Sequence, residues 1–250
     1  MSLFQAVLIS LLQGLTEFLP ISSSGHLKLL ETFFDLKGDF LFFDLVCHGG
    51  TLFSILLILR KEIWKVFQDK EMFWMLVIAI LPLFPLVFAI KSIKNIYATP
   101  HILGYFFLVT SLLLFCGEYF SRKRSISNKL TALLIGIAQG VALLPGISRS
   151  GMTIAMARFL GWERVKAAKF SFLLAIPTIL GGLALEGGKI ILEKDPGKNL
   201  PFFIYIVGFV ISFTVGSFML RGVLILFKKV SLKPFAVYCA IVGIITLILT

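Results

Sequence analysis

Apolar residues run along most of the chain in long segments separated by short polar stretches. A helix needs about 20 such residues to cross a bilayer, within a range of about 17 to 25. Seven or eight segments approach that length, at residues of roughly 3–21, 40–59, 72–90, 102–118, 130–147, 170–186, 202–220 and 235–250. Those at 72–90 and 202–220 are uninterrupted. The pattern predicts an all-α integral membrane protein.

The first and fifth segments differ from the others, because each meets a polar, glycine-containing break before it finishes a span. The first break is "EFLPISSSGH" at residues 17–26, and the second is "PGISRSG" at residues 145–151. Backbone that leaves helical geometry at membrane depth is tolerated only where it is buried in protein or lines a wet cavity. The two breaks are therefore the predicted functional site.

The breaks belong to an internal repeat. Residues 8–25, "LISLLQGLTEFLPISSSG", align without gaps with residues 134–151, "LIGIAQGVALLPGISRSG", and eight of the 18 pairs are identical. This offset of 126 residues predicts a single membrane domain over 1–250, made of two tandem halves at about 1–125 and 126–250. Each half would hold one broken segment and three spanning helices, and an odd number of spans inserts the second half upside down. We expect an inverted-topology repeat with six transmembrane helices and two re-entrant helix pairs.

Basic residues are distributed unevenly among the connections between segments. The connections at 60–71, 119–131, 158–169 and 221–233 each contain four Lys or Arg, whereas those at 28–44, 91–101 and 188–200 contain two, two and three. Basic loops favour the cytoplasm, so we expect the first group inside and both termini outside. The net charge of +11 then reflects this asymmetry beside an anionic inner leaflet, and it requires no nucleic-acid partner.

The overall composition agrees with a lipid-exposed chain that lacks a separate soluble domain. Apolar residues make up 58% of the sequence and charged residues 15%, which is too little polar surface for a soluble protein of this length. The three cysteines, Cys47, Cys116 and Cys239, lie far apart in apolar runs. This spacing is typical of buried or lipid-facing thiols rather than of a disulfide framework or a metal site.

The breaks carry residues that suit an anion. Pro20 and Pro145 end the first half-helix of each break, and the serines that follow, Ser22–Ser24 and Ser148–Ser150, are good N-caps for the next half-helix. A helix N-terminus presents free N–H groups and the positive end of its dipole. Arg149 stands where the first half has Ser23 and adds a planar cation suited to phosphate oxygens. Two converging breaks would make a phosphate receptor.

The two halves have diverged in their titratable residues. Glu17 corresponds to Leu143 and His26 to Met152, so one half holds the acid–base groups and the other holds the cation. This division favours hydrolysis over simple binding. Ser23 and His26 are three residues apart and form a candidate activated-nucleophile pair. Glu17 could hold a divalent cation, with Gln13 one helical turn away as a neutral oxygen ligand.

Three stretches resemble the signatures of a known family. "QGLTEFLPISSSGHL" resembles the [E/Q]-x-x-x-E region of the undecaprenyl-diphosphate phosphatase family of the bacitracin-resistance type, and "PGISRSG" resembles its P-G-x-S-R-S-G motif. "FDLVCHGGTL", residues 43–52, resembles a third shared stretch, F-D-x-x-x-H-x-G-T. The resemblance covers essentially the whole chain, and the three motifs together are highly specific.

The resemblance implies hydrolysis of the C55 isoprenoid diphosphate to its monophosphate, the recycled lipid carrier of cell-wall synthesis, at the outer face of the bacterial cytoplasmic membrane. It implies a divalent cation, Mg2+ or Ca2+, held by Glu17 and Gln13, although many members have Glu where this chain has Gln13. The implied catalytic residues are Glu17, Ser23, His26 and Arg149. Those implied or expected to bind substrate are Gln13, Ser22, Ser24, Ser148 and Ser150.

Several alternatives stay open at this point. The serines could serve only as caps, Glu17 and Arg149 could be a structural ion pair, and Ser23 could form a phosphoserine or orient water. His48 with Asp44 is interpreted as a structural or supporting pair, and Glu186 as an interfacial or loop acid. A polyprenyl-phosphate transporter or flippase is the main rival function, ahead of a membrane scaffold. The oligomeric state is not determined by the sequence, and a homodimer is one option.

Overall fold

The computed structural model describes residues 1–34, 36, 40–86, 100–121, 128–193 and 200–250, and every regular element in them is a helix. In chain order the helices are α1 (Leu3–Thr16), α2 (Ser23–Phe33), α3 (Leu41–Ile58), α4 (Arg60–Gln68), α5 (Lys70–Ile80), α6 (Pro100–Tyr119), α7 (Lys129–Val141), α8 (Arg149–Phe159), α9 (Arg164–Glu193), α10 (Phe202–Leu226) and α11 (Lys233–Leu249). The all-α prediction is confirmed for this part of the chain.

Helix length and surface chemistry identify a multi-pass membrane protein. In the described part of the chain, four helices are long and apolar enough to cross a bilayer, over Leu41–Ile58, His101–Tyr119, Arg164–Gly188 and Phe202–Leu226. The apolar helix α11 has 17 residues, and α1 and α7 are shorter. Large apolar side chains face outward, among them Phe218 at 70% and Ile248 at 75% exposure. A surface of this kind suits hydrocarbon rather than water.

Two predicted segments differ from the helices in the structure. The segment at 72–90 is not continuous, because α5 ends at Ile80, a turn covers 81 and 82, and helix resumes at 83–86. Pro82 lacks a backbone N–H and cannot continue the helical ladder. Residues 87–90 of that segment lie outside the described residues. The segment at 170–186 is longer than predicted, since α9 has 30 residues and contains Pro177 in its interior.

The two breaks have the same local structure. The helices of the two breaks match at the repeat offset of 126 residues. Helix α7 starts 126 residues after α1, and both ends of α8 lie 126 residues after the corresponding ends of α2. Ser22 Oγ accepts a hydrogen bond from the N–H of Gly25 at 3.2 Å, and Ser148 Oγ accepts one from Gly151 at 3.0 Å. Both predicted caps are confirmed.

Each broken segment packs against a helix of the other half of the sequence. The first helix of the first break, α1, lies against α10, and the first helix of the second break, α7, lies against α5. Glycines allow the close approach. A Cβ on Gly14 would lie 3.1 Å from the Ser212 carbonyl oxygen, and one on Gly136 would lie 2.3 Å from that of Ala79. Small residues let helix backbones approach in this way in membrane proteins, and here they bring both breaks to the middle of the molecule.

The two caps differ in backbone strain, which makes them separable by mutation. Ser22 has a φ of 70°, whereas Ser148 has a φ of −72°. Ser22→Ala should lower the free energy of unfolding by about 1 kcal/mol through the lost cap. Ser22→Gly loses the same cap but relieves a left-handed conformation that costs a non-glycine residue about 1 kcal/mol. We therefore expect Ser22→Gly to unfold at a clearly higher temperature than Ser22→Ala in detergent.

Ser148 provides the matched control for this comparison. Its backbone is already in an ordinary region, so the difference between Ser148→Ala and Ser148→Gly should be smaller than the difference at Ser22. Equal differences at the two positions would show that the positive φ of Ser22 carries no cost.

Candidate active site

The tips of the two broken segments contact each other directly. Ser150 Oγ donates a hydrogen bond to the Leu19 carbonyl oxygen at 2.9 Å, which joins the start of α8 to the first break. The guanidinium of Arg149 pairs with the carboxylate of Glu17, through Nη2 and Oε1. The N-termini of α2, at Ser23, and of α8, at Arg149, therefore lie at the same junction. The structure brings together the two regions that the sequence marked as polar breaks.

Glu17 is the centre of the polar contacts at this junction. It is 6% exposed, and Oε1 is occupied by Arg149. Its other oxygen, Oε2, accepts hydrogen bonds from Ser23 Oγ at 2.8 Å and from Gln13 Nε2 at 3.0 Å. A buried carboxylate is tolerated only when a cation and hydrogen-bond donors compensate for its lost hydration. Here three side chains from α1, α2 and α8 supply that compensation.

The expected pairing of Ser23 with His26 is wrong in this structure. The Ser23 hydroxyl donates to Glu17, while His26 Nδ1 donates to the Ser22 carbonyl oxygen at 2.7 Å and Nε2 lies 2.8 Å from the hydroxyl of Tyr238. The His26 ring also stacks on Tyr238, with centroids 5.6 Å apart. The contacts with Tyr238 hold the His26 ring against α11 and away from Ser23.

A cavity of about 270 Å³ opens beside the ion pair. Polar residues of both breaks line one part of it, and aliphatic side chains line the rest, including Leu45, Leu83, Ile179 and Leu183. Ser24 lies on the wall with its hydroxyl 3.5 Å from that of Ser22, and Ser148 and Ser150 line it with their hydroxyls 3.3 Å apart. A cavity lined by both polar and aliphatic side chains suits an amphiphile whose head group is polar.

Several polar atoms at the junction have no protein partner. Among the described residues, Gln13 Oε1, Gln139 Nε2 and Arg149 Nη1 are buried without a hydrogen bond. Native proteins leave few such atoms, because an unpaired buried donor or acceptor costs about 1–3 kcal/mol. Two of the three are N–H donors on residues that line the cavity, Gln139 and Arg149. Two residues of the cavity lining therefore each carry a buried N–H donor without a partner among the described residues.

The side chains expected to hold a divalent cation, Glu17 and Gln13, contact each other and neighbouring donors at the junction. Both oxygens of Glu17 already face donors, and Gln13 presents its NH2 group rather than its carbonyl oxygen to that carboxylate. Within the described residues, no cluster of three or more His, Cys, Asp or Glu side chains could hold a metal ion. Gln13 Oε1, buried and unpaired, is a single available oxygen. That Glu17 and Gln13 hold a divalent cation stays a prediction.

Two cavity residues were undervalued by sequence reasoning. His48 donates from Nδ1 to the Asp44 backbone carbonyl at 2.8 Å, which leaves Nε2 turned into the cavity, 4.0 Å from Glu17 Oε2. Glu186 lies within helix α9 and lines the same cavity, so of its two interpretations, an interfacial or a loop acid, the loop acid is wrong and the interfacial acid stays a prediction. His48 is the histidine of the third signature stretch, residues 43–52, so the sequence already marked it as a candidate. No spacing in the sequence, however, shows that it lies next to the breaks.

The fold and the site define a multi-pass helical membrane protein whose polar cavity lies where two broken segments meet. The family model of bacitracin resistance protein BacA matches residues 6–245 of the chain. The chain therefore belongs to the BacA family, and the resemblance of its signature motifs is confirmed.

Relatives that match over their full length are named undecaprenyl-diphosphatases. An undecaprenyl-diphosphatase of Protochlamydia amoebophila is 42% identical over 98% of this chain and 98% of its own length. One from Bacteroides fragilis is 39% identical over 100% and 99%, and one from Carboxydothermus hydrogenoformans is 37% identical over 100% and 98%. The similarity extends over the whole of each chain, so it includes both broken segments.

The donor-rich surroundings of Glu17 lead to a prediction about cations. In the absence of a phosphate ligand, the purified protein should bind Mn2+, used as a spectroscopic substitute for Mg2+, only weakly, because the described residues contain no cluster of three or more His, Cys, Asp or Glu side chains that could hold a metal ion. Adding inorganic pyrophosphate should produce protein-bound Mn2+ in electron paramagnetic resonance titrations, and Arg149→Met should reduce it. Tight stoichiometric Mn2+ binding without pyrophosphate, abolished in Glu17→Gln, would contradict the expectation.

Proposed function

We propose that the chain is an undecaprenyl-diphosphatase, which hydrolyses the C55 isoprenoid diphosphate to undecaprenyl phosphate and inorganic phosphate in the bacterial cytoplasmic membrane. The observation that carries this proposal is the contact of Ser23 Oγ with Glu17 Oε2 at 2.8 Å, beside an arginine with an unpaired N–H group. A hydroxyl with a proton acceptor and an adjacent cation are the parts that phosphoryl transfer requires. The names of the full-length relatives support the same substrate.

In the first step, Ser23 Oγ attacks the terminal phosphorus of the diphosphate. The new Oγ–P bond forms as the bond from that phosphorus to the bridging oxygen breaks, and undecaprenyl phosphate leaves. Glu17 accepts the hydroxyl proton across the existing hydrogen bond and passes it to the departing phosphate. Arg149 Nη1 and the N-termini of α2 and α8 stabilise the phosphoryl oxygens.

In the second step, water attacks the phosphoserine and releases inorganic phosphate. Glu17 accepts a proton from the water and returns one to Ser23, so the enzyme is regenerated. His26 takes no direct part in this scheme, because its ring bonds to Ser22 and Tyr238. Direct attack by a water held between Glu17 and Ser23 is the competing route to the same products.

We also propose that the divalent cation enters with the substrate, bound to diphosphate oxygens. A diphosphate is itself a strong oxygen ligand for Mg2+ or Ca2+, which agrees with the absence of a carboxylate cluster among the described residues. The cation would then neutralise phosphate charge, while Arg149 would bind the phosphoryl oxygens and Ser23 would attack the phosphorus.

Serine substitutions test the enzymatic proposal. Purified protein in detergent should release inorganic phosphate from a long-chain isoprenoid diphosphate in the presence of Mg2+, and Ser23→Ala should lose this activity by several orders of magnitude, because the nucleophile is removed. Thr32→Ala is the matched control and should retain most of the activity, since this hydroxyl also lies on α2 but donates to the Lys28 carbonyl oxygen at 2.9 Å and does not line the cavity. Detergent removes the two sides of a membrane, so a transporter would release no phosphate.

Two other outcomes would contradict this assignment. Normal turnover by Ser23→Ala would remove Ser23 as the nucleophile and favour direct attack by water. An inactive Ser24→Ala with an active Ser23→Ala would move the nucleophile by one residue. Trapping of radiolabelled phosphate on the protein after rapid acid quench should occur in wild type and not in Ser23→Ala.

For the architecture, we propose the inverted-topology repeat with six spans, two re-entrant pairs and a cavity that opens to the outer face. It is supported by the matching bounds of α1 with α7 and α2 with α8, and by the unequal charge of the connections. The contacts of α1 with α10 and of α7 with α5 agree with this arrangement, because in each half the first helix of the break packs against a helix of the other half.

Accessibility labelling tests this topology. In a variant without native cysteines, a membrane-impermeant thiol reagent applied to intact cells should label Thr250→Cys and leave Lys166→Cys unlabelled, because the two positions are expected on opposite sides. Labelling of both positions after permeabilisation provides the control. Labelling of Lys166→Cys but not Thr250→Cys in intact cells would reverse the orientation, and equal labelling of both would exclude the six-span arrangement.

A further inference from the structure

Gln139 is a buried amide with an unused donor. It lies on α7 with 1% exposure and lines the same cavity as Arg149 and Ser23. Its Nε2 has no hydrogen-bond partner among the described residues. Its Oε1 lies 3.4 Å from Thr178 Oγ1, but that hydroxyl has one proton and also donates to the Leu174 carbonyl at 2.7 Å. The protein therefore holds the Gln139 amide only weakly and does not satisfy its NH2 group.

Comparison with the first half of the repeat shows what is missing. Gln13, the counterpart of Gln139 at the offset of 126, donates from Nε2 to the carboxylate of Glu17 at 3.0 Å. The residue four positions after Gln139 is Leu143, whose side chain has no hydrogen-bond acceptor. The second half thus keeps the donor but lacks an anion to receive its hydrogen bond. An acceptor from outside the protein would complete the contact.

We propose that Gln139 Nε2 donates a hydrogen bond to a non-bridging oxygen of the diphosphate group of the substrate. Arg149 also lines the cavity, and its buried Nη1, which has no partner among the described residues, would donate to the same anionic group. This inference rests on the proposed function for the identity of the ligand. A neutral amide suits the position, because it adds a donor without a second cation that would compete with Arg149 for Glu17. Gln139 is in this sense a substrate-binding residue and not an acid or a base.

Removal of the Gln139 amide distinguishes a substrate-binding role from a structural one, because the two roles predict opposite changes in melting temperature. Replacing a satisfied buried amide with an apolar side chain lowers stability, whereas replacing an unsatisfied one is neutral or stabilising. Gln139→Met retains the length and flexibility of the side chain without its donor. Its melting temperature in detergent should equal or exceed that of wild type, while kcat/KM for the isoprenoid diphosphate should fall by roughly ten- to hundredfold, the range for a hydrogen bond to a charged group. Gln139→Leu serves as the second variant if the first folds poorly.

Ser217→Ala is the matched control. Ser217 Oγ is also buried without a partner, but the residue is not part of the cavity wall. Its removal should leave both the melting temperature and kcat/KM at or above the wild-type values. The control therefore separates the loss of an unpaired buried group in general from the loss of one that faces the ligand.

A binding measurement makes the test independent of turnover. Inorganic pyrophosphate with Mg2+ should raise the melting temperature of wild type and Ser217→Ala, and should raise that of Gln139→Met and Gln139→Leu by a smaller amount. Wild-type kcat/KM together with undiminished pyrophosphate protection in the Gln139 variants would overturn the inference. A fall in melting temperature and activity together would overturn it in favour of a structural role. If wild type releases no phosphate yet pyrophosphate protection depends on Gln139, the proposed function fails and the anion contact stands.

Discussion

The ion pair between Glu17 and Arg149 is the contact on which the rest of the site depends. It joins the two broken segments through residues that are 132 positions apart in the sequence, and it pairs the carboxylate of the first break with the guanidinium of the second. Removing one partner of a buried pair leaves an uncompensated charge and costs about 3–5 kcal/mol. Because Ser23, Gln13 and His48 all take their positions around the same carboxylate, a shift of that pair would move every polar group on this side of the cavity.

The surrounding helices serve chiefly to make polar backbone possible inside an apolar molecule. Each break is held by a helix of the other half, with Gly14 and Gly136 at the close contacts. Each serine cap accepts a hydrogen bond from the N–H group of the third residue of its helix, Gly25 in α2 and Gly151 in α8. The packing of α1 on α10 and of α7 on α5 buries the two breaks, and the starts of α2 and α8 meet at the junction between them. One arrangement of helices thus serves both apolar packing and anion recognition.

The features that depend on neighbours in the sequence could be predicted, and those that depend on distant helices could not. The caps at Ser22 and Ser148 and the repeat offset follow from local patterns, and the structure has both. The direction of His26 is decided by Tyr238 on α11, which no spacing within the first break reveals. The turn at 81 and 82 was overlooked because the hydropathy of that segment remains high across Pro82. His48 and Glu186 reach the cavity only through the packing of α3 and α9.

The separation of Glu17 from Arg149 along the chain also fixes the order of events during synthesis. The carboxylate emerges from the ribosome 132 residues before its guanidinium partner, so the nascent first half contains an acid at membrane depth without its cation. A lone carboxylate is costly to bury away from water. The contact of the Ser23 hydroxyl, the Glu17 carboxylate and the Arg149 guanidinium can therefore be completed only after the second break, at residues 145–151, has been synthesised.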